Sequence, residues 1–328
     1  MPTFLVTRKM SPALAARVQA AVSGRREPVQ RRSSVKALLR LFTFAFVVTS
    51  VVGIVHFRRQ RAEQLESLRR ELLDLQTREA APLTRADREL STRVTAAVAL
   101  HAAPAYLGDE VTRELRGEAR LAQALALPTL YLRGPLEGLS QPARLNELAA
   151  SSSKDAFVLC LIDPPETRSE KALRLKASAA YARGPSMQST AHVERVAPLL
   201  QALPLLARGW RGRIEAAETN ASLRELQRLL DAAPLAAAVR SAKARQLLLV
   251  LDETSTARGP TELDGERAHA VRIVLADLAS GELRLRFRHE VDPSWLSDSA
   301  RAQYAAGIDS CALAMDVRKA VATLPVRD

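Results

Sequence analysis

Residues 246–253 read QLLLVLDE, five consecutive apolar side chains running into two acids. A continuous apolar run of this length is what a central strand presents when both faces of its sheet are covered. Covering both faces requires helices packed on the sheet, so the stretch points to an α/β fold. The pattern around it agrees. Residues 129–133, TLYLR, form a short strand stopped by Gly134-Pro135. Residues 156–162, AFVLCLI, are a second wholly apolar run and read as a second buried strand. Residues 271–276 and 282–290 flank Ser280-Gly281 and read as a hairpin. In its second arm Leu283, Leu285 and Phe287 alternate with Arg284, Arg286 and Arg288, leaving one face solvated.

Helical patterns fill the intervals. Thr84 with Asp87 makes a capping box ahead of the apolar face Leu90, Val94, Val98 and His101. Residues 113–127 and 143–150 read as helices, and Thr167 with Glu170 opens another that reaches about residue 181. Residues 190–244 are Leu/Ala-rich and helical, with breaks at Pro198, Pro204, Gly209 and Pro234 and a capping box at Ser222 and Glu225. A last helix covers roughly 297–324.

Ahead of this domain lies a different kind of segment. Residues 41–57, LFTFAFVVTSVVGIVHF, contain no Asp, Glu, Lys or Arg and are bracketed by arginines. From Val35 to Phe57 a helix spans roughly 34 Å, enough to cross a bilayer core with Lys36 and Arg40 snorkelling. Arg31-Arg32-Ser33-Ser34-Val35-Lys36 resembles a twin-arginine signal, but Ser34 stands where a phenylalanine is usual. No small-x-small cleavage site follows the apolar run, so an uncleaved anchor in contact with membrane lipid through residues 35–57 is expected. Within twenty residues of the 41–57 core, six Lys/Arg lie on the N-terminal side and five on the C-terminal side. That small excess favours a cytoplasmic N-terminus. Of 48 Lys/Arg all but seven are arginine, a bias read as a GC-rich bacterial genome. The expectation is then a single-pass protein of the bacterial inner membrane with its C-terminal domain in the periplasm.

The domain plan expected is a basic tail over 1–34, the anchor over 35–57, a helical stalk and connector over 58–127, and a mixed β-sheet domain with packed helices over 128–328. In the stalk, Leu65, Leu68, Leu72 and Leu75 repeat at three-four-three spacing. They suit either a homodimeric coiled coil or an amphipathic stalk lying against the chain's own domain.

Net charge is +12, yet residues 1–61 hold twelve basic side chains against Glu27 alone. The remainder carries 36 basic and 35 acidic residues, without the concentrated basic face that nucleic acid demands. Nucleic-acid binding is not expected.

The chemistry-bearing residues are few. Residues 247–253 have the form of a Walker B strand, but no Gly-Lys dipeptide occurs anywhere to build a phosphate loop. Asp163 ends one expected strand and Asp252-Glu253 another, so parallel neighbours would converge three carboxylates where open α/β sheets bind ligands. Such a cluster would serve a metal-dependent or acid–base hydrolase. The plainer reading is that acids solvate strand ends. His56, His101, His192, His269 and His289 show no ligand spacing, and no Gly-x-Ser-x-Gly elbow is present. No cofactor or metal is expected. Cys160 and Cys311 are the two cysteines. Cys311 shares a helix face with Tyr304, Ile308 and Met315 that should pack on the sheet holding Cys160. An oxidising compartment would allow them to pair, but two buried free thiols are the more frequent outcome and the one expected here. With catalytic constellations lacking, the sequence favours a non-catalytic domain that binds a protein partner or scaffolds an assembly.

Overall fold

The computed structural model describes residues 11–23, 32–181, 189–253, 268–301 and 305–327. The chain divides into two compact units, Met1–Gln64 and Leu65–Asp328. The first holds helix α1 (Pro12–Ser23) and the opening of the long helix α2 (Arg32–Ala80). Phe42, Phe44 and Phe46 stand exposed around this part of α2. Thr43 Oγ1 donates back to Leu39 O at 3.0 Å, and Thr49 does the same to Ala45. Such internal pairing is what an apolar medium requires of a hydroxyl. Among the described residues α2 is the one helix long and apolar enough to cross a membrane, with mean hydropathy 2.2 over its most apolar window.

The second unit is built on a seven-stranded mixed sheet. Its strands are β1 (Glu110–Thr112), β2 (Thr129–Pro135), β3 (Val193–Arg195), β4 (Gln246–Glu253), β5 (His269–Asp277), β6 (Leu283–Val291) and β7 (Val326–Arg327). Their order is β3-β2-β4-β5-β6-β1-β7. Strand β2, next to the edge strand β3, runs parallel to both β3 and β4, while β4, β5 and β6 form an antiparallel run. The far edge is β1, antiparallel to β6 and parallel to β7. Helices α3 (Arg85–Arg88), α4 (Leu90–His101), α5 (Glu118–Leu125), α6 (Leu136–Leu139) and α7 (Pro142–Ser151) come first along the chain. After them come α8 (Ala156–Ile162), α9 (Glu170–Tyr181), α10 (Val196–Ala202), α11 (Arg208–Glu215) and α12 (Asn220–Ala232). The set closes with α13 (Leu235–Ser241), α14 (Asp298–Arg301) and α15 (Ala305–Ala320).

Strand alternation sorts β4 between two cores. Leu248 and Val250 join Tyr131, Ile273 and the helices α8, α9 and α15 on one face. Leu247, Leu249 and Leu251 join Leu130, Leu132 and the helices α4, α7 and α10 on the other. Both faces of β4 are therefore covered, as its unbroken apolar run requires.

Residues 156–162 are a helix, α8, and not the strand expected. A run apolar at every position carries no period, so length and composition cannot separate a buried strand from a buried helix. The deciding group is Asp155, whose side chain accepts from Val158 N at 3.3 Å and caps the first turn. Residues 156–161 are all buried, with α15 and α9 against the helix. A disulfide joins Cys160 of α8 to Cys311 of α15 across a Cα separation of 5.2 Å, so the two are not free thiols. Tyr304, expected on the same face as Cys311, lies outside the described residues.

Smaller differences have local causes. The helix expected over 113–127 is a 3-10 turn, Arg113–Leu115, followed by α5, because Gly117 at φ 102° breaks the path between them. The Thr84–Asp87 box is present as expected, whereas the second box is Thr219–Ser222, one turn before the predicted one. Ser169 Oγ, not Thr167, accepts from Ala172 N at the start of α9. Pro198 and Gly209 sit in the first turns of α10 and α11 and break neither.

The folded unit also reaches further toward the N-terminus than the expected boundary at 128. Leu90, Val94 and Val98 of α4 are core residues, and β1 is a sheet strand. Leu65, Leu68 and Leu75 pack with buried Leu72 against Trp210 and Ile214 of α11 and Leu223, Leu226 and Leu230 of α12. Gln76 Nε2 fastens the same face by donating to Leu205 O at 2.9 Å. The leucine seam is thus covered within the chain, in the manner of a stalk lying against its own domain. Leu72 is 1% exposed, so Leu72→Ala is expected to lower the stability of the Leu65–Asp328 unit by roughly 2–4 kcal/mol in chemical denaturation. A loss below about 0.5 kcal/mol, the scale of surface substitutions, would show that the seam is not core.

Candidate functional site

Strands β2 and β4 end side by side, with Pro135 opposite Asp252 in register. In open α/β sheets the carboxyl ends of parallel strands are where ligands bind. Alternation places Tyr131, Arg133, Val250 and Asp252 on one face, toward the start of α8. Arg133 donates through Nε and Nη2 to Asp252 Oδ2 and Oδ1 at 3.1 and 2.9 Å, a bidentate fork. Its Nη1 donates to Asp155 Oδ2 at 3.1 Å and to Ser310 Oγ of α15 at 2.6 Å. The Tyr131 hydroxyl donates to the same Asp155 oxygen at 2.9 Å, and His269 Nε2 pairs with Asp252 Oδ1 at 3.3 Å. All these groups are buried or nearly so.

The electrostatics follow from burial and pairing. Burial alone would raise the Asp252 carboxyl, but the Arg133 guanidinium and the His269 bond outweigh it and hold the group below its usual range. Burial and the neighbouring Asp155 charge push the Tyr131 phenol well above its ordinary value. Asp252 is therefore an ionised member of a closed network, with both oxygens engaged. It is not the solvated strand cap of the plainer sequence reading.

Glu253, the next residue, points to the opposite face of the sheet because successive strand side chains alternate. There it binds Arg272 and accepts from Arg288 Nη2 at 3.0 Å. Burial raises its carboxyl, and the bonds from Arg288 and Arg272 more than reverse the effect. Arg272 also donates to the carbonyls of Ala103 and Pro104 at 2.8 and 2.9 Å, pinning the loop after α4. Beside that loop is an open cavity of about 590 Å³, with Leu100, Tyr106, Leu107, Leu283 and Arg286 in its wall. The rings and cations there pair closely: Arg272 and Arg286 lie 5.3 and 5.8 Å from the Tyr106 centroid.

Asp163 is elsewhere again. It is the C-cap of α8, exposed, and paired with Lys176 Nζ at 2.5 Å. The expected convergence of Asp163 with Asp252 and Glu253 does not occur. With residues 156–162 helical, it is the other end of that run, Asp155, that reaches Asp252 through Arg133. Arg133, Asp155, His269 and Ser310 were not singled out by sequence. Asp155 immediately before an apolar run is the one among them with a local signal, that of an N-cap. Among the described residues no group of three or more His, Cys, Asp and Glu is placed to hold a metal ion.

One further buried acid has a different setting. Trp295 Nε1 donates to Asp309 Oδ1 at 2.9 Å, while Asp309 Oδ2 is buried without a hydrogen-bond partner. Burial, and then the charge of Asp292, push the Asp309 carboxyl up to about 6 against the opposing Trp295 bond. No protein-family model, no curated protein and no solved structure matches this chain.

The folded state holds the Asp309 proton more tightly than the unfolded chain does. Its contribution to stability is then fully present below pH about 4 and is lost as pH rises through about 6. Asp309→Asn keeps an acceptor for Trp295 and removes the charge. At pH 8 it is expected to stabilise the protein by roughly 1–3 kcal/mol, with the gain vanishing at pH 4. Paired thermal melts across that range test this, and a variant equally stable or weaker at pH 8 refutes it.

Proposed function

We propose that the chain is a single-pass, membrane-anchored envelope protein whose α/β domain binds a protein partner or scaffolds an assembly, without catalysing a reaction. The observation that carries this reading is the fate of the candidate acids. Asp163 is paired with Lys176, Asp252 with Arg133, and Glu253 with Arg272 and Arg288, in three separate places. A hydrolase built on these three acids would need at least two of them facing one reacting atom. For a partner surface, exposed Leu100 and Leu107 at the rim of the 590 Å³ cavity are the apolar groups that association covers.

The anchor reading rests on charge-free residues 41–57 with basic flanks. The periplasmic side for the domain draws on the small Lys/Arg excess ahead of the span and on the Cys160–Cys311 bond, which persists in oxidising compartments.

Two measurements test the proposal. Thermal melting of the full chain in detergent, with and without magnesium, calcium, manganese or zinc, should give the same midpoint each time. A metal-dependent rise abolished by Asp163→Asn or Glu253→Gln would overturn the non-catalytic reading, because binding to the folded state must stabilise it. For the compartment, a C-terminal reporter active only in the periplasm should report, and Cys160 and Cys311, trapped from cells under denaturing conditions, should resist alkylation until reductant is added. A silent reporter with freely alkylated thiols would place the domain in the cytoplasm.

A further inference from the structure

Helix α1 is exposed, rich in alanine, and carries its larger apolar side chains on one side. Leu14, Val18 and Ala21, spaced i, i+4 and i+7, share one side of the helix, and Leu14 and Val18 are 51% and 48% exposed. Arg17 flanks that side, where its aliphatic stem can lie along an apolar boundary with the guanidinium raised out of it. The charge around the helix has a single sign. Residues 1–40 contain nine Lys/Arg and one acid, Glu27. Such an excess fits an anionic surface and repels a second copy of the same segment.

Tethering completes the argument. Eight residues, 24–31, separate the end of α1 from the start of α2, a reach of at most about 28 Å. A bilayer crossed by the apolar part of α2 would hold its own headgroups within that radius of α1 at all times. The helix then needs only weak intrinsic affinity, since the tether supplies the effective concentration. Amphipathic helices with a basic border lie in the headgroup–acyl boundary, and their binding grows with the anionic lipid content.

We propose that α1 lies on the anionic lipid surface of the same membrane, with Leu14 and Val18 inserted at the headgroup boundary, as a second membrane contact. This rests on the reading of α2 as an anchor. Its consequence is that the N-terminal segment reads lipid charge, which the spanning helix alone does not.

The test uses the full chain in nanodiscs of zwitterionic lipid, with or without phosphatidylglycerol, in a Trp210→Phe/Trp295→Phe background. Single tryptophans are placed by Leu14→Trp, Ala16→Trp on the opposite side of α1, and Val52→Trp in the span, and read by quenching from brominated acyl chains. Expected are quenching and a blue shift at position 14 in anionic discs, several-fold weaker in zwitterionic discs or high salt, with position 16 remaining solvent-like. If the background variant does not fold, the same readings are taken as increments over the two native tryptophans. Quenching at 52 without quenching at 14, equal quenching at 14 and 16, or quenching at 14 that is the same in anionic and zwitterionic discs overturns the proposal and leaves the anchor standing. Absence of quenching at 52 removes the anchor reading itself.

Discussion

The guanidinium of Arg133 ties β2 to β4 through Asp252, to α8 through Asp155, and to α15 through Ser310. These are the elements that must be brought together for one face of the sheet to close. Two carboxylates taken out of water by that closure are compensated chiefly by one planar cation that meets both at hydrogen-bonding distance, with Tyr131, Val158 N and His269 as further partners. Removing such a cation leaves uncompensated buried charge, at a cost on the order of 3–5 kcal/mol. A lysine, with a single ammonium, could not reproduce the fork to Asp252 and reach Asp155 and Ser310 together. The arrangement fixes which end of α8 faces the sheet, and so where Cys160 stands relative to Cys311.

Much of the architecture was legible in the chain. Strands β4, β5 and β6 declared themselves because each is long enough to show an unbroken or alternating apolar pattern. Strands β1, β3 and β7, of three, three and two residues, are too short for any period to register. They exist because neighbouring strands offer them open edges, a tertiary cause. Residues 156–162 failed for the opposite reason, being apolar throughout and thus without a period of any kind. That single misreading carried the site with it. Taken as a strand, the run presents Asp163 to the sheet; as a helix capped by Asp155, it presents the other end.

The stalk leucines mark a different limit. A three-four-three repeat specifies that a helix has an apolar side, and it does not specify what covers that side. Here Trp210 and the leucines of α12 do. No local feature of residues 65–75 announces a partner some 140 positions downstream. Arg133 was opaque for a similar reason, since arginine is abundant along the chain and nothing beside it in sequence sets it apart.

The pairing of β1 with β6 and β7 bears on how this unit comes into being. Val111 lies opposite Leu285 on one side and Val326 on the other. Cys160 finds its partner 151 residues later, on the helix that packs against α8. A chain emerging from the N-terminus therefore exposes the apolar α8 segment and the open edge of β1 until α15 and β7 have been made. Contacts of this sequence separation make folding slow and defer closure of the unit until α15 and β7 have been made. The unit is vectorially incomplete until α15 and β7 are in place: a chain cut short before α15 would present unsatisfied strand edges and an uncovered helix, which proteases and chaperones recognise as unfinished.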